Sequence, residues 1–241
     1  MDETLRKRFR RLRPALLGTL FRLTPLSQSW GHERGRPIDR YYIEQFLDEH
    51  RSDIRGRVLE VADTRYTDRF GSEVEQADVL DVDADNPRAT VVGDLTRPET
   101  LPEGTYDAFV LTQTLQYVFD PLVAVQSVHR VLRPGGVALI SVPSVSRIAA
   151  SAGVDGEFWR FTTASCKRLF APLFDEVEVK AYGNVLTCAA FLFGMAREDL
   201  SQHELDTHDE FFPLLVTVRA RAAPQNDRTQ DARSEEAGTS S

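Results

Sequence analysis

Residues 106–144, YDAFVLTQTLQYVFDPLVAVQSVHRVLRPGGVALISVPS, constrain the fold of this chain more than any other stretch. The apolar run from Ala108 to Leu111 is short, is bounded by polar residues, and reads as a buried strand. Asp120-Pro121 then opens a helix, because the carboxylate can accept from free N–H groups and proline loses nothing in a first turn. Apolar residues at 122, 125, 128, 131 and 132 give that helix one inward face over residues 122–132. Arg133-Pro134-Gly135-Gly136 stops it with a sharp reversal, and Val137 to Val142 is the next strand. Strand, helix and strand in this order make a right-handed crossover between parallel strands. An α/β fold is the expectation.

The length of 241 residues suits one such domain with appendages. No run approaches the roughly 18 apolar residues that would span a bilayer, and the basic start lacks the pattern of a secretory signal. Cys166 and Cys188 stand apart without metal-ligand spacing, so free structural thiols in a reducing cytoplasm are expected. Residues 1–40 hold 10 Lys/Arg against 4 Asp/Glu, while the whole chain carries a net charge of −8. So acidic a body does not offer the basic footprint that nucleic acid requires. Within the basic start, Leu5, Phe9, Leu12, Leu16, Leu20 and Leu23 fall at helical spacing. They describe either a helix on an anionic membrane or protein partner, or an arm packed on its own domain. The polar stretch 222–241 is disordered by composition.

Other strands are expected at Arg57–Val61, Ala77–Val82, Thr90–Leu95, Phe174–Tyr182 and Leu214–Ala220, with a helix carrying Tyr42, Ile43, Phe46 and Leu47 on one face and an apolar helix over 185–196. The second strand ends in Asp81-Val82-Asp83-Ala84-Asp85. A carboxylate at such an end can accept from both hydroxyls of a ribose, and Asp81 follows Glu60 by 21 residues, near the roughly 20 expected of a nucleotide fold. Asp83 faces the same way if the strand continues. A solvated acidic loop is the competing reading; a calcium loop is excluded by the missing glycine and distal glutamate. His203 and His208 sit five apart in an acidic connector, 197–213, that reads as a solvated loop, and no metal is expected. Trp30, Arg34, Arg36 and Arg40, in the segment before the first strand, could hold an anionic or sugar-like molecule or simply pair with the acidic body.

DAFVLTQTLQYVFDP followed by HRVLRPGGVALISVP resembles the fourth strand, helix and fifth strand of class I S-adenosylmethionine-dependent methyltransferases of the small-molecule, type 11-like branch. GDL at 93–95 and FWRFT at 158–162 are similar to further phrases of that family. The resemblance covers about residues 38–221. It implies a Rossmann-like, seven-stranded, mostly parallel sheet with an antiparallel last strand and helices on both faces. An N-terminal arm and lid over 1–37 would precede the domain. By the same resemblance S-adenosylmethionine is the cofactor, Glu60 takes the acidic place after the first strand, and Asp94 and Leu95 face the adenine. Asp63 and Gln113 join Asp81 and Asp83 as cofactor-side candidates. Tyr117 stands where relatives carry histidine and would orient or deprotonate the acceptor, with Trp159 and Arg160 beside it. The chain departs from the family at one point. Ala62-Asp63-Thr64-Arg65-Tyr66 replaces the GxGxG turn.

The expected function is therefore methyl transfer to a small-molecule acceptor, such as a sugar or lipid-linked glycan. The alternative is a degenerate fold that serves as a non-catalytic scaffold; a nicotinamide-dependent oxidoreductase is weaker, since its fingerprint also needs glycines. No nucleic-acid partner is expected, peripheral membrane contact would run through the basic start, and partner proteins are unknown.

Overall fold

The computed structural model describes residues 22–224. Most of the basic arm and all but the first residues of the polar tail lie outside them. Seven strands form one sheet: β1 (Gly56–Val61), β2 (Val74–Asp81), β3 (Val91–Val92), β4 (Tyr106–Thr112), β5 (Leu132–Pro143), β6 (Glu176–Tyr182) and β7 (Leu215–Arg221). Their order across the sheet is β3-β2-β1-β4-β5-β7-β6. The pairs from β3 through β5 are parallel, and β7 runs antiparallel to both β5 and β6.

Alternation along the strands feeds two apolar layers. Phe109 and Leu111 of β4 face α3 (Pro121–Val131) and α4 (Thr163–Phe170), joining Val125, Val128, Cys166 and Phe170. Ala108 and Val110 face the other way. There they meet α1 (Ile38–Glu49), α2 (Arg65–Phe70), α5 (Val185–Leu192) and α6 (Gln202–Asp206), through Tyr42, Phe46, Tyr66, Phe191 and Leu205. Both cysteines are free and buried within these layers.

Asp120 caps α3 as expected, its Oδ1 accepting from the N–H groups of Leu122 and Val123 at 3.1 and 3.2 Å. Thr162 caps α4 in a reciprocal pair with Ser165. Three expectations are corrected. Arg133–Gly136 is not a turn outside the sheet, because β5 already begins at Leu132; the pairing with β4 slips there, and Gly135 absorbs the kink at φ +79°. The apolar helix α5 stops at Leu192 rather than 196. Residues 197–213 are not merely a solvated loop. They contain α6, whose Leu205 is wholly buried and accepts from the Tyr42 hydroxyl at 2.9 Å. No helix among the described residues is long and apolar enough to cross a membrane.

Candidate active site

Three chambers open in sequence along the carboxyl ends of β1, β2, β4 and β5, the end at which open α/β sheets bind ligands. The first, about 500 Å³, is lined by Val61, Asp81, Asp94, Leu95, Phe119 and Phe158, among others. The second, about 340 Å³, lies between the loop after β1 and the loop after β4, with Glu60, Ala62, Asp63, Arg40 and Gln113 on its walls. The third, about 240 Å³, is polar and includes Trp30, His32, Asp39, Gln116, Ser146 and Glu157. Tyr117 lines all three. A separate cavity of about 430 Å³ sits at the opposite end of the sheet, beside Asp107 and Arg133. Arg133 pairs with Asp107 there at 2.9 Å.

The glycine-less turn keeps a left-handed residue without glycine. Ala62 lies at φ +69°, a conformation that costs an L-residue about 1–2 kcal/mol. Trp30 at φ +53° and Gln113 at φ +50° are likewise left-handed and also line the chambers. Of the described non-glycine residues, only Glu73 shares this conformation elsewhere, beside the opposite cavity. Such strain persists where the surroundings over-determine the backbone, and it gathers at binding sites.

Glu60 holds that turn from beneath. Its two oxygens accept from the N–H groups of Tyr66 at 3.1 Å and Thr67 at 2.8 Å, at the start of α2. Burial pushes its carboxyl up to about 7, against the pull of those two donors. Both of its oxygens are thus engaged with the loop. Asp63 is locked in a fork by Arg65, with Arg88 beside it at 3.5 Å, and this pairing holds its carboxyl below the usual range.

Asp81 ends β2 and faces the first chamber, where Asn86 donates to its Oδ2 at 2.7 Å and the Asp83 N–H to its Oδ1 at 3.0 Å. A carboxylate has about four acceptor positions, so room for hydroxyl groups remains. Asp83 is a correction: the strand stops at Asp81, and Asp83 turns outward to accept from the N–H of Asp85. Asp94 and Leu95 line the wall of the first chamber.

On the other side, Trp30 and Arg40 line the third chamber, and Arg40 reaches the second as well. Arg34 and Arg36 do not. Arg34 is buried in a fork with Asp199, at 2.9 and 2.8 Å, and Arg36 pairs with Glu44. Trp159 and Arg160 also stand outside the chambers and brace their walls. The Trp159 indole donates to the carbonyls of Val118 and Phe119, while Arg160 bonds Glu157 and the Ser146 carbonyl. His129 stacks edge-on against Phe174 and His208 against Tyr182, so neither is a base at the site, and no metal-holding cluster occurs among the described residues. Asp39, Gln116, Asn86 and Glu157 were not among the expected site residues. Asn86 alone had a local signal, since it closes the acidic run after β2.

Residues 44–140 match the family model described as a methyltransferase domain. That match runs from within α1 to within β5 and covers less than half of the chain. A curated relative from Mycolicibacterium smegmatis, a probable S-adenosylmethionine-dependent methyltransferase, is 35% identical over 86 residues. That match covers 36% of this chain and only 33% of the relative. The crystal structure of the N-methyltransferase NodS from Bradyrhizobium japonicum, in complex with S-adenosyl-L-homocysteine, superposes with a TM-score of 0.51 at 16% identity, over 85% of this chain and 95% of that one. The [4+2]-cyclase SpnF superposes with a TM-score of 0.52 at 17% identity, over 79% and 84%. Both likenesses show the fold and nothing of the chemistry.

Proposed function

We propose that this protein transfers a methyl group from S-adenosylmethionine to a small-molecule acceptor. The observation that carries the reading is the run of three chambers meeting at Tyr117, with Asp81 in the first and the left-handed Ala62 turn beside the second. The residues present suit the cofactor's chemistry. Asp81 would accept from the ribose hydroxyls, and Asp94 and Leu95 would meet the adenine, with Phe119 and Phe158 supplying apolar surface. Gln113, whose buried amide nitrogen has no partner, offers a donor at the second chamber, and Arg40 offers a positive charge for a carboxylate. Glu60 and Asp63 would act through the loop they hold.

Bound S-adenosylmethionine supplies an electrophilic methyl on a sulfonium centre. The protein's work is then alignment and the exclusion of water. Tyr117 would orient the acceptor where the chambers meet. Burial raises its phenol above the usual range, so it is a hydrogen-bonding group and not a base at neutral pH. Trp159 and Arg160 would act by bracing the walls. The size of the third chamber, below the roughly 300–1,000 Å³ of drug-sized ligand sites, favours a small acceptor or the end group of a larger one, such as a sugar or lipid-linked glycan.

Thermal denaturation with S-adenosylmethionine, S-adenosylhomocysteine and NAD tests the reading. The first two should raise the melting temperature and NAD should leave it unchanged. A shift with NAD alone would replace the proposal with a dehydrogenase. No shift with any of the three would favour the non-catalytic scaffold.

A further inference from the structure

The third chamber contains a carboxylate that no motif announces. Asp39 lies in the first turn of α1 and is 9% exposed, and that exposure opens on the chamber. Its Oδ1 accepts from the N–H of Arg40 at 2.8 Å. Burial raises the carboxyl above the usual range, opposed by the positive charge of Arg40 and by His32. The neighbouring Glu157 differs. Its two oxygens are taken by Arg160 at 2.7 Å and the Ala149 N–H at 2.7 Å. Gln113 Nε2 and Gln116 Oε1, on side chains lining the same chamber, are buried without partners.

A buried polar atom left unpaired is costly, and two on side chains around one small chamber, beside the Asp39 carboxylate, point to a polar molecule that pairs there. The charges limit which molecule. Arg40 lines the chamber, Arg147 lies 4.0 Å over the Trp30 ring on its wall, and Glu157 is already neutralised by Arg160. A cation would meet the Arg40 guanidinium, with Arg147 behind the Trp30 ring, and a single unneutralised carboxylate. A neutral or anionic hydroxyl compound would find Asp39 as an acceptor and Arg40 as a donor.

We infer that Asp39 is the acceptor-side catalytic residue, a base for a neutral or anionic hydroxyl compound of about monosaccharide size. The inference rests on the methyl-transfer reading above. In the step, the acceptor's O–H bond breaks and its proton passes to Asp39 Oδ2. The freed oxygen pair forms the new bond to the methyl carbon, and the pair of the broken carbon–sulfur bond stays on sulfur, which becomes the neutral thioether. The proton leaves Asp39 for water when the product departs.

The test is a binding screen on protein saturated with S-adenosylhomocysteine, comparing wild type with Asp39→Asn. The probes are six-carbon sugars, their phosphates and the corresponding amino sugars. Asparagine keeps the size and the Oδ1 acceptor, so the variant should fold and bind S-adenosylhomocysteine as wild type does, since the first two chambers do not include Asp39. Hits among the sugars or sugar phosphates that weaken about tenfold or more in Asp39→Asn are the expected result. Hits confined to amino sugars, hits that bind both proteins equally, or no hit in any set would overturn the assignment. Failure of wild type to bind S-adenosylhomocysteine would instead overturn the methyl-transfer reading beneath it.

Discussion

At position 62 the turn after β1 takes a left-handed course suited to glycine, and alanine occupies it at φ +69°. Ala62→Gly should therefore relieve strain, raising stability by up to about 1 kcal/mol once the looser unfolded chain is counted, as urea denaturation would measure. A loss instead would mean that the alanine methyl packs against something the turn needs. Glu60 gives a second prediction. Its carboxyl is raised from 4.5 to about 7, so the folded state holds the proton more tightly than the unfolded chain does. Its contribution to stability is full below pH 4.5 and is lost as pH rises through 7. In Glu60→Gln that decline should flatten, and unchanged pH dependence would contradict the burial argument. Asp81, Asp94 and Tyr117 were legible because each sits at a fixed offset from a strand that the sequence marks. Asp39 was not. An aspartate at the start of a helix reads as a cap, and only tertiary packing shows that Pro37 takes the cap position and that the carboxyl turns into a chamber.

Among the elements, the segment from Leu26 to Pro37 decides how open the third chamber is. It is fastened to residues 193–199 by the Leu26 N–H to the Phe193 carbonyl at 2.7 Å, by the Arg197 N–H to the Arg36 carbonyl at 2.7 Å, and by a bridge between Pro37 and Ala196. Gly31 lies so near the Met195 carbonyl that a Cβ would stand 2.6 Å from it. The Arg34–Asp199 pair adds a charged clamp with side chains only 6% and 17% exposed. Breaking a buried pair strands its partner, so Arg34→Ala should cost about 3 kcal/mol in chemical denaturation. Affinity for S-adenosylhomocysteine should hold, because the first two chambers are built elsewhere; a parallel loss would tie the clamp to the cofactor site. The arginines before the first strand could be read as ligand-binding or as structural, and their positions separate them. Arg40 faces the chambers, while Arg34 and Arg36 are spent on Asp199 and Glu44. Composition cannot sort them, since all three stand in one short basic run. The acidic segment 197–213 hid its order for a related reason: its charges mask the single buried Leu205 and the backbone contacts that hold α6.

Across the whole molecule, the strand–helix–strand unit at 106–144 made the parallel core of the sheet legible, since few topologies accept that order. The cleft is less local. Its three chambers draw on the loops after β1, β2, β3 and β4, on the segment before α1, and on residues 146–158, so no single motif contains it. The central claim is that this cleft holds the cofactor despite the lost glycines. Calorimetric titration of the purified protein with S-adenosylhomocysteine, beside Asp81→Ala, tests it most directly. Saturable binding at one site, weakened about tenfold or more in the variant, is the predicted result. A well-folded wild-type protein that takes up no S-adenosylhomocysteine would contradict it.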